Sequence, residues 1–326
     1  MIRWLALAIM VTGFATVGVS AQAAEDDPVK VNPGTKTFRD CPLCPEMVVV
    51  PAGQFVMGTP GGAEEYDADT GETQTLAVTI AQPFALGRTE VTYKQYAEFI
   101  RDADYKPAPG CRIWNDRWVV DEKADWRAPR QPRNPKDDHA AVCISFADAQ
   151  AYAAWLSTKT GKAYRLPSES EWEYAVRAGT AAPRFFGVNS FEGVSISLAC
   201  EYANVFDVTG QAAFAFAVPY ARCKDNYDDV ALVAAFKPNA FGLYDMIGNV
   251  WEWVGDCYTG SYWGRPPDGS TWVWQGGCEE RGLRGGAWSS RPAAARSAKR
   301  SSAPADYRAT DVGFRIARDL APGEVP

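Results

Sequence analysis

One short stretch constrains the fold more than any other, the segment Asn239–Asp256 with the sequence NAFGLYDMIGNVWEWVGD. It is rich in large apolar and aromatic side chains, and Gly242 and Gly248 interrupt it. Such a segment is too interrupted for a long helix and too aromatic for a solvated loop. Its acids are Asp245, Glu252 and Asp256. The pattern therefore predicts a buried, turn-rich segment that offers oxygen ligands.

Composition points to a fold with many turns and short regular elements. The chain has 326 residues, of which 13% are aromatic, with 28 glycines and 22 prolines. That length is enough for a large core. The net charge is −7 and no basic stripe is present, which argues against a nucleic-acid partner.

The N-terminus has the pattern of a secretory signal peptide. A positive start at Arg3, an apolar run and an A-x-A site at 21–23 precede an acidic mature start. A membrane anchor is the alternative, but the run is shorter than the roughly 20 residues of a span, so we expect no stable membrane span. We expect export to a bacterial periplasm. The predicted divisions are the signal peptide 1–24, a leader 25–44 on the surface, one domain 45–320 and a tail 321–326.

Cysteine usage agrees with export, because an even number of cysteines in an exported chain indicates disulfides. Pairing of sequence neighbours is the simplest arrangement, although spacing alone does not determine connectivity. A zinc site or a redox-active pair are the other interpretations of C-P-L-C at 41–44, but no second CxxC completes a zinc site. The predicted bridges are Cys41–Cys44, Cys111–Cys143, Cys200–Cys223 and Cys257–Cys278.

Three capping boxes predict three helices. Each has Ser or Thr followed three residues later by an acid or glutamine, at Thr92–Gln95, Ser145–Asp148 and Ser168–Glu171. The third helix should end near Ala178, before Gly179. Strands are predicted at 47–51, 53–58, 76–86, 284–287 and 312–317, with long irregular regions at 104–139 and 185–238. Together, these helices, strands and irregular regions predict an α+β fold with little regular secondary structure.

Six ordered blocks resemble the formylglycine-generating enzyme family, also called sulfatase-modifying factors. Its relatives include the pyoverdine-maturation oxidase and the ergothioneine-pathway sulfoxide synthases. The resemblance covers about residues 45–319 and implies a C-type-lectin-like α+β fold. The blocks are MVVVPAGQFVMGT (47–59), RTEVTYKQY (88–96), RLPSESEWEYA (165–175), NAFGLYDMIGNVWEW (239–253), LRGGAW (283–288) and GFRIAR (313–318).

The resemblance also implies two structural calcium sites, and the matching positions here keep the oxygen donors that Ca²⁺ prefers. The alternative is that Asp245 and Glu252 cap turns or pair with arginines. The first predicted site uses the side chains of Asn204 and Asp225 and the carbonyls of Val205 and Tyr227. The second uses the side chains of Asp245 and Glu252 and the carbonyls of Gly248 and Val250.

The loop that carries the chemistry in these relatives departs from their pattern. Formylglycine-generating enzymes have two copper-binding cysteines shortly after R-G-G, but residues 284–300 contain none, and Ser290 stands near the first position. A serine hydroxyl is a poor soft-metal ligand, so catalytic copper is not expected. One histidine, His139, cannot build the three-histidine iron site of the ergothioneine-type enzymes or a two-histidine triad, and a structural or loop-positioning role is expected for it. The remaining catalytic candidates are Trp251, Ser290 and Arg291.

Two functions stay open at this point. The first is an exported oxidoreductase or maturation factor that acts on a peptide, protein or peptide-derived metabolite without the two-cysteine copper mechanism. The second is a non-catalytic, calcium-stabilised, lectin-like binding or assembly module. The pyoverdine-maturation relatives are the model for the first function, because these family members are periplasmic and also depart from the two-cysteine site.

Overall fold

The chain builds two main sheets that are joined through a single buried segment near its C-terminal end. The computed structural model describes residues 29–59, 72, 74–129, 135–187, 196–321 and 323–324; the predicted signal peptide lies outside them. The strands are β1 (Thr37–Phe38), β2 (Met47–Val50), β3 (Gly53–Gly58), β4 (Thr75–Ile80), β5 (Phe84–Gly87), β6 (Cys111–Trp114), β7 (Trp118–Asp121), β8 (Tyr164–Arg165), β9 (Trp251–Cys257), β10 (Arg281–Arg284), β11 (Arg300–Ala303), β12 (Val312–Gly313) and β13 (Ala317–Asp319).

The first sheet has the order β1-β2-β5-β13-β8 and is antiparallel throughout. The second has the order β11-β10-β9-β12, with β9 and β12 parallel. Only Phe314, Arg315 and Ile316 separate β12 from β13, and all three are fully buried. This crossing places the Arg315 guanidinium between the sheets, next to the start of β9. Two hairpins, β3–β4 and β6–β7, lie outside the main sheets.

Five α-helices and a short 3₁₀-helix at Pro292–Ala294 complete the described part of the chain. The α-helices are α1 (Tyr93–Asp102), α2 (Phe146–Thr160), α3 (Glu169–Arg177), α4 (Ile196–Tyr202) and α5 (Val208–Phe214). All three predicted capping boxes are confirmed, since in each the N-cap side chain accepts from the N3 backbone and the N3 side chain accepts from the N-cap backbone. The longest described helix, α2, has 15 residues, and none of the described helices combines the length and hydropathy of a membrane span.

Several strand boundaries differ from the prediction. The predicted strand 76–86 is two strands in different sheets, because Pro83 has no N–H to continue the ladder. The predicted strand 284–287 ends at Arg284, since Gly285 and Gly286 have φ of 99° and 80°. The predicted strand 312–317 is divided by the crossing between the sheets.

Two regions predicted to be irregular contain regular elements. The region 104–139 contains the β6–β7 hairpin, whose turn places Asp116 in the left-handed region at φ 54°. The region 185–238 contains α4 and α5. The described part of the leader, residues 29–44, is held to the body, because β1 pairs with β2 and Asn32 N donates to Ala240 O at 2.8 Å.

All four predicted disulfides are confirmed, and they use all eight cysteines. The core on which they lie is aromatic. Trp253 is fully buried, donates from Nε1 to Ile144 O at 2.9 Å and meets the Phe146 ring edge-on. Tyr96, Tyr152 and Phe314 pack together beneath α1 and α2. The segment Asn239–Asp256 thus contributes a tryptophan wall to the core.

Candidate functional site

The loop after β10 forms a closed turn around Ser290, the residue that stands near the first cysteine position implied by the resemblance. Ser290 Oγ accepts from Ala287 N at 3.0 Å, and Ser290 N donates to Ala287 O at 2.8 Å. The Ser290 carbonyl accepts from Phe206 N, at 3.2 Å. With these bonds and 9% exposure, Ser290 stabilises the turn. Arg291, next in the chain, is exposed.

The neighbouring hydroxyl makes a different contact. Ser289 Oγ donates to Asp311 Oδ2 at 2.6 Å, and burial raises the pKa of that carboxyl. Asp311 also accepts from Trp251 N through its carbonyl, at 2.8 Å. Trp251, Asp311 and Tyr307 line a small pocket of about 210 Å³. The structure therefore brings Trp251 to the Ser289–Asp311 pair and leaves Ser290 in the turn.

An open cleft of about 870 Å³ lies beside this loop. That volume lies within the range of small-molecule sites. Trp288 belongs both to the loop and to the cleft wall, and its ring lies 5.1 Å from Phe214 between centroids. Trp114 forms a further part of the wall, 4.3 Å from the Phe216 ring. The β6–β7 hairpin, which was not predicted from the sequence, contributes Trp114 to this aromatic face, and α5 contributes Phe214.

His139 lies in the cleft wall. Its Nδ1 accepts from Lys136 N at 2.9 Å, so the neutral ring carries its proton on Nε2. Burial is the main cause that lowers the pKa of His139; Lys136 acts in the same direction, and Asp229 and Asp138 oppose it. The residue therefore has the loop-positioning contact that was expected, and in addition contributes to the cleft.

None of the cysteines can provide a thiolate near the loop, because all eight are in disulfides. Cys200, Asp207 and Asp225 approach one another within 4.8 Å. Cys200 is bonded to Cys223, however, and Asp207 caps α5 by accepting from the N–H groups of Thr209 and Gly210. A thiolate metal site does not fit this cluster.

The first predicted calcium position contains buried side-chain oxygens without hydrogen bonds. Within the described residues, no donor reaches Asn204 Oδ1 or Asp225 Oδ2, although these side chains belong to residues only 1% and 6% exposed. Burial, together with Asp207, raises the pKa of Asp225 to about 7. Uncompensated buried oxygens are costly, and oxygen donors of this kind are what Ca²⁺ binds. The residues present fit the ion.

The second predicted calcium position is similar and includes a further acid, Glu90, which was not predicted from the sequence. Asp245 Oδ1 and Glu90 Oε2 are buried, and no donor among the described residues reaches them. Glu252 is paired with Arg315, at 2.6 Å for Nε to Oε2 and 2.7 Å for Nη2 to Oε1, and accepts from Trp172 Nε1. The structure therefore shows at Glu252 the arginine pairing that was the alternative to calcium binding.

Charge at this second position is unbalanced. Glu90, Asp245 and Glu252 are three buried carboxylates facing the single guanidinium of Arg315. Burial raises the pKa of Asp245 to about 6 and that of Glu90 well above its usual range. A divalent cation would neutralise the excess, so this donor set fits calcium as well. Glu90 follows Thr89 in the block RTEVTYKQY, whose sequence alone does not place it near Asp245.

Comparison with known proteins decides the family. Residues 34–320 match the model of the sulfatase-modifying factor enzyme 1-like domain. The chain belongs to this family. Its fold is the family's C-type-lectin-like α+β fold with little regular secondary structure, and the sequence-based resemblance is confirmed.

The relatives of this chain include proteins named as enzymes and proteins named as inactive. A formylglycine-generating enzyme of Streptomyces coelicolor is 31% identical, over 83% of this chain and 88% of its own. An inactive C-alpha-formylglycine-generating enzyme 2 of Bos taurus is 32% identical, over 65% of this chain and 71% of its own. The solved structure of PvdO from Pseudomonas aeruginosa is 38% identical with a TM-score of 0.74, and the match covers 87% of this chain and 98% of that one.

Proposed function

We propose that this family member is an exported oxidoreductase or maturation factor that modifies a peptide, a protein or a peptide-derived metabolite. The observation that carries the proposal is the position of Trp288. This residue lies in the Arg284–Arg296 loop and forms the wall of the 870 Å³ cleft. A ligand in the cleft therefore lies against the loop that carries the chemistry in the copper-dependent relatives. Membership of the family and the similarity to PvdO support a modifying role.

The reaction does not use the two-cysteine copper mechanism. Copper(I) needs soft thiolate ligands, whereas Ser290 closes a turn and every cysteine of the chain is in a disulfide. The residues present therefore do not fit a thiolate-bound copper ion. The groups that remain next to a ligand are the Nε2–H side of His139, the indole of Trp288 and the acids of the cleft. They can bind, orient and exchange protons with a ligand.

Export and calcium belong to the same proposal. The N-terminal sequence has the pattern of a signal peptide, and four disulfides suit an oxidising compartment such as the periplasm. Calcium is proposed at both predicted positions, held by Asn204, Val205, Asp225 and Tyr227 at the first and by Asp245, Gly248, Val250 and Glu252 at the second. Its role is to hold these segments, which border the cleft and the β9 strand.

The test is incubation of the oxidised, calcium-loaded protein with a randomised short-peptide library, in air and under anaerobic conditions. We expect a mass change in a subset of peptides, accompanied by oxygen consumption in air. A mass change that is the same without oxygen would retain a maturation factor and exclude an oxygen-dependent oxidoreductase. No mass change in any peptide, with binding retained, would overturn the enzymatic proposal.

A second candidate, the non-catalytic binding module, has a specific observation in its favour. The closed turn at Ser290 replaces a metal ligand with a structural hydrogen bond, and a relative whose name includes "inactive" matches 65% of the chain. The same incubation separates the two, because a binding module would retain a peptide without changing its mass.

A further inference from the structure

His139 is the only histidine of the chain, and its backbone is fixed at the wall of the cleft. Its carbonyl accepts from Tyr93 N, the first residue of α1, at 2.8 Å, and its N–H donates to Lys136 O at 3.0 Å. A β-bridge pairs it with Leu232. Contacts to α1, to its own turn and to the segment at Leu232 therefore hold the residue in place.

The turn at Lys136 also determines which nitrogen of the ring can meet a ligand. Nδ1 accepts from Lys136 N at 2.9 Å, and a backbone N–H can only donate, so the lone pair of Nδ1 is used in this bond. Burial is the main cause that lowers the pKa of His139; Lys136 adds to it, and Asp229 and Asp138 oppose it. At neutral pH the ring is therefore an uncharged donor through Nε2–H.

Nε2 has no hydrogen-bond acceptor among the residues that the structure describes. The ring is half-buried and lines the open cleft. A donor that loses water when a ligand covers it is costly unless the ligand supplies an acceptor. In pockets with mostly apolar walls, a few polar groups of this kind fix the orientation of the ligand. Apolar side chains in the lining of this cleft include Ala124, Ala140, Val142 and Val230.

We propose that His139 positions a peptide in the cleft by donating a hydrogen bond from Nε2 to a carbonyl oxygen of the peptide. This inference rests on the proposed function for the class of ligand and adds the residue that orients it. A carbonyl is favoured over a carboxylate, because a neutral imidazole brings no charge to bind an anion. Binding a metal ion or taking up a proton would need the Nε2 lone pair, which becomes available only if the proton moves to Nδ1 and the bond from Lys136 N is lost.

The first test is the protonation state of the ring, which a single histidine makes unambiguous. The calcium-loaded protein is labelled with ¹⁵N-histidine, purified without a histidine tag and studied by NMR at pH 7. We expect a protonated Nε2 and an unprotonated Nδ1, and a downfield shift of the Nε2 proton when acetyl-Gly-Phe-Gly-amide is added. A proton on Nδ1, or an Nε2 signal that is unchanged at saturating peptide, would overturn the proposal.

A substitution separates the cleft contact from the turn contact. His139→Asn places a side-chain oxygen near the position of Nδ1, so the bond from Lys136 N can be kept while the donor to the cleft is lost. We expect the variant to bind the same peptide about fivefold more weakly by isothermal titration calorimetry, which is within the range of one hydrogen bond, at an unchanged melting temperature.

The matched control is Asp137→Asn, at an exposed position in the same turn and outside the cleft lining, which should bind as the wild type does. Equal affinity of His139→Asn and the wild type, or no binding by the wild type, would contradict the proposal. If His139→Asn melts at a lower temperature, the NMR result on the wild type decides.

This proposal and the enzymatic one can fail separately. Peptide binding that depends on His139, without any mass change in the library, would reject the enzymatic proposal and retain the role of His139. A mass change that proceeds at the same rate in the wild type and in His139→Asn would reject the role of His139 and retain the enzymatic proposal.

Discussion

Asn249 donates a hydrogen bond from Nδ2 to Glu90 Oε1 at 3.0 Å, and through this bond it links the two predicted calcium positions. Its Oδ1 accepts from Asn204 Nδ2 at 3.2 Å and from Ala231 N at 2.9 Å. The side chain is fully buried. Asn204 belongs to the first predicted site, and Glu90 lies beside Asp245 of the second. One amide side chain thus spans the region between them.

The first prediction concerns calcium itself. Removal of calcium by a chelator, with disulfides intact, should lower the melting temperature. A ligand at 100 times its dissociation constant stabilises the folded state by about 2.7 kcal/mol, and each kcal/mol shifts melting by roughly 2–4 °C for a domain of 150–250 residues. Differential scanning calorimetry with and without chelator measures the shift. Equal melting temperatures would exclude structural calcium.

The second prediction concerns the link at Asn249. Asn249→Asp keeps the shape of the side chain but places a carboxylate against Glu90, so the free energy of unfolding should fall by about 3 kcal/mol. The loss should be smaller with calcium present, because a divalent cation offsets the added charge. Denaturant unfolding at matched calcium concentrations gives both values. The control is Asn115→Asp, at an exposed position. A similar loss of unfolding free energy in this control would show that the effect at Asn249 does not depend on the carboxylate of Glu90.

The third prediction is a pH effect at Ser289. Burial raises the pKa of Asp311 in the folded state, and the Ser289 hydroxyl opposes this rise. A folded-state pKa above the unfolded value of about 3.9 means that stability falls as pH rises through the interval between the two values. Ser289→Ala removes the opposing bond and widens that interval. The variant should therefore lose more unfolding free energy at pH 7 than at pH 4.

Urea unfolding of the wild type and of Ser289→Ala at both pH values measures this difference. Ser290→Ala is the matched control, because Ser290 Oγ bonds a backbone N–H rather than a carboxylate. Its cost should be independent of pH between 4 and 7. If both variants lose the same unfolding free energy at pH 4 and pH 7, the Ser289–Asp311 hydrogen bond does not affect the pKa of Asp311.

The fourth prediction concerns the bridge Cys200–Cys223, whose cysteines are 23 residues apart and flank the first proposed calcium position. Replacing both cysteines by serine should lower the free energy of unfolding by about 3 kcal/mol, because loop-closure entropy is restored to the unfolded chain. Calcium affinity at the first site should fall in parallel. The same replacement at Cys41–Cys44, with a separation of 3, is the control and should leave calcium affinity unchanged.

Much of the fold followed from local signals in the sequence. The capping boxes of α1, α2 and α3 depend only on residues three apart, and neighbouring cysteines formed all four bridges. The β6–β7 hairpin was missed because its turn uses Asp116 at positive φ, where no glycine marks the turn. The strand β9 was missed because the segment that contains it has a turn-rich first half.

Site residues could be predicted from the sequence only where they lie close together along the chain. The resemblance places Asp245 and Glu252 in one predicted calcium site, and the two residues lie seven positions apart in a single sequence block. Glu90 reaches them through the tertiary fold, 159 residues from Asn249. The cleft combines the β6–β7 hairpin, α5 and the segment around Asp228, which no sequence pattern brings together. His139 looked structural in the sequence because its position in the cleft wall depends on the same packing.

The proposed function places the modification of a peptide or peptide-derived ligand in the cleft beside Trp288. The most direct measurement is the rate of mass change of the best library peptide with Trp288→Phe and with Trp263→Phe, a tryptophan that is 80% exposed and outside the cleft lining. We expect at least a tenfold lower rate for Trp288→Phe at unchanged melting temperature, and no change for Trp263→Phe. Equal rates for both variants and the wild type would contradict it.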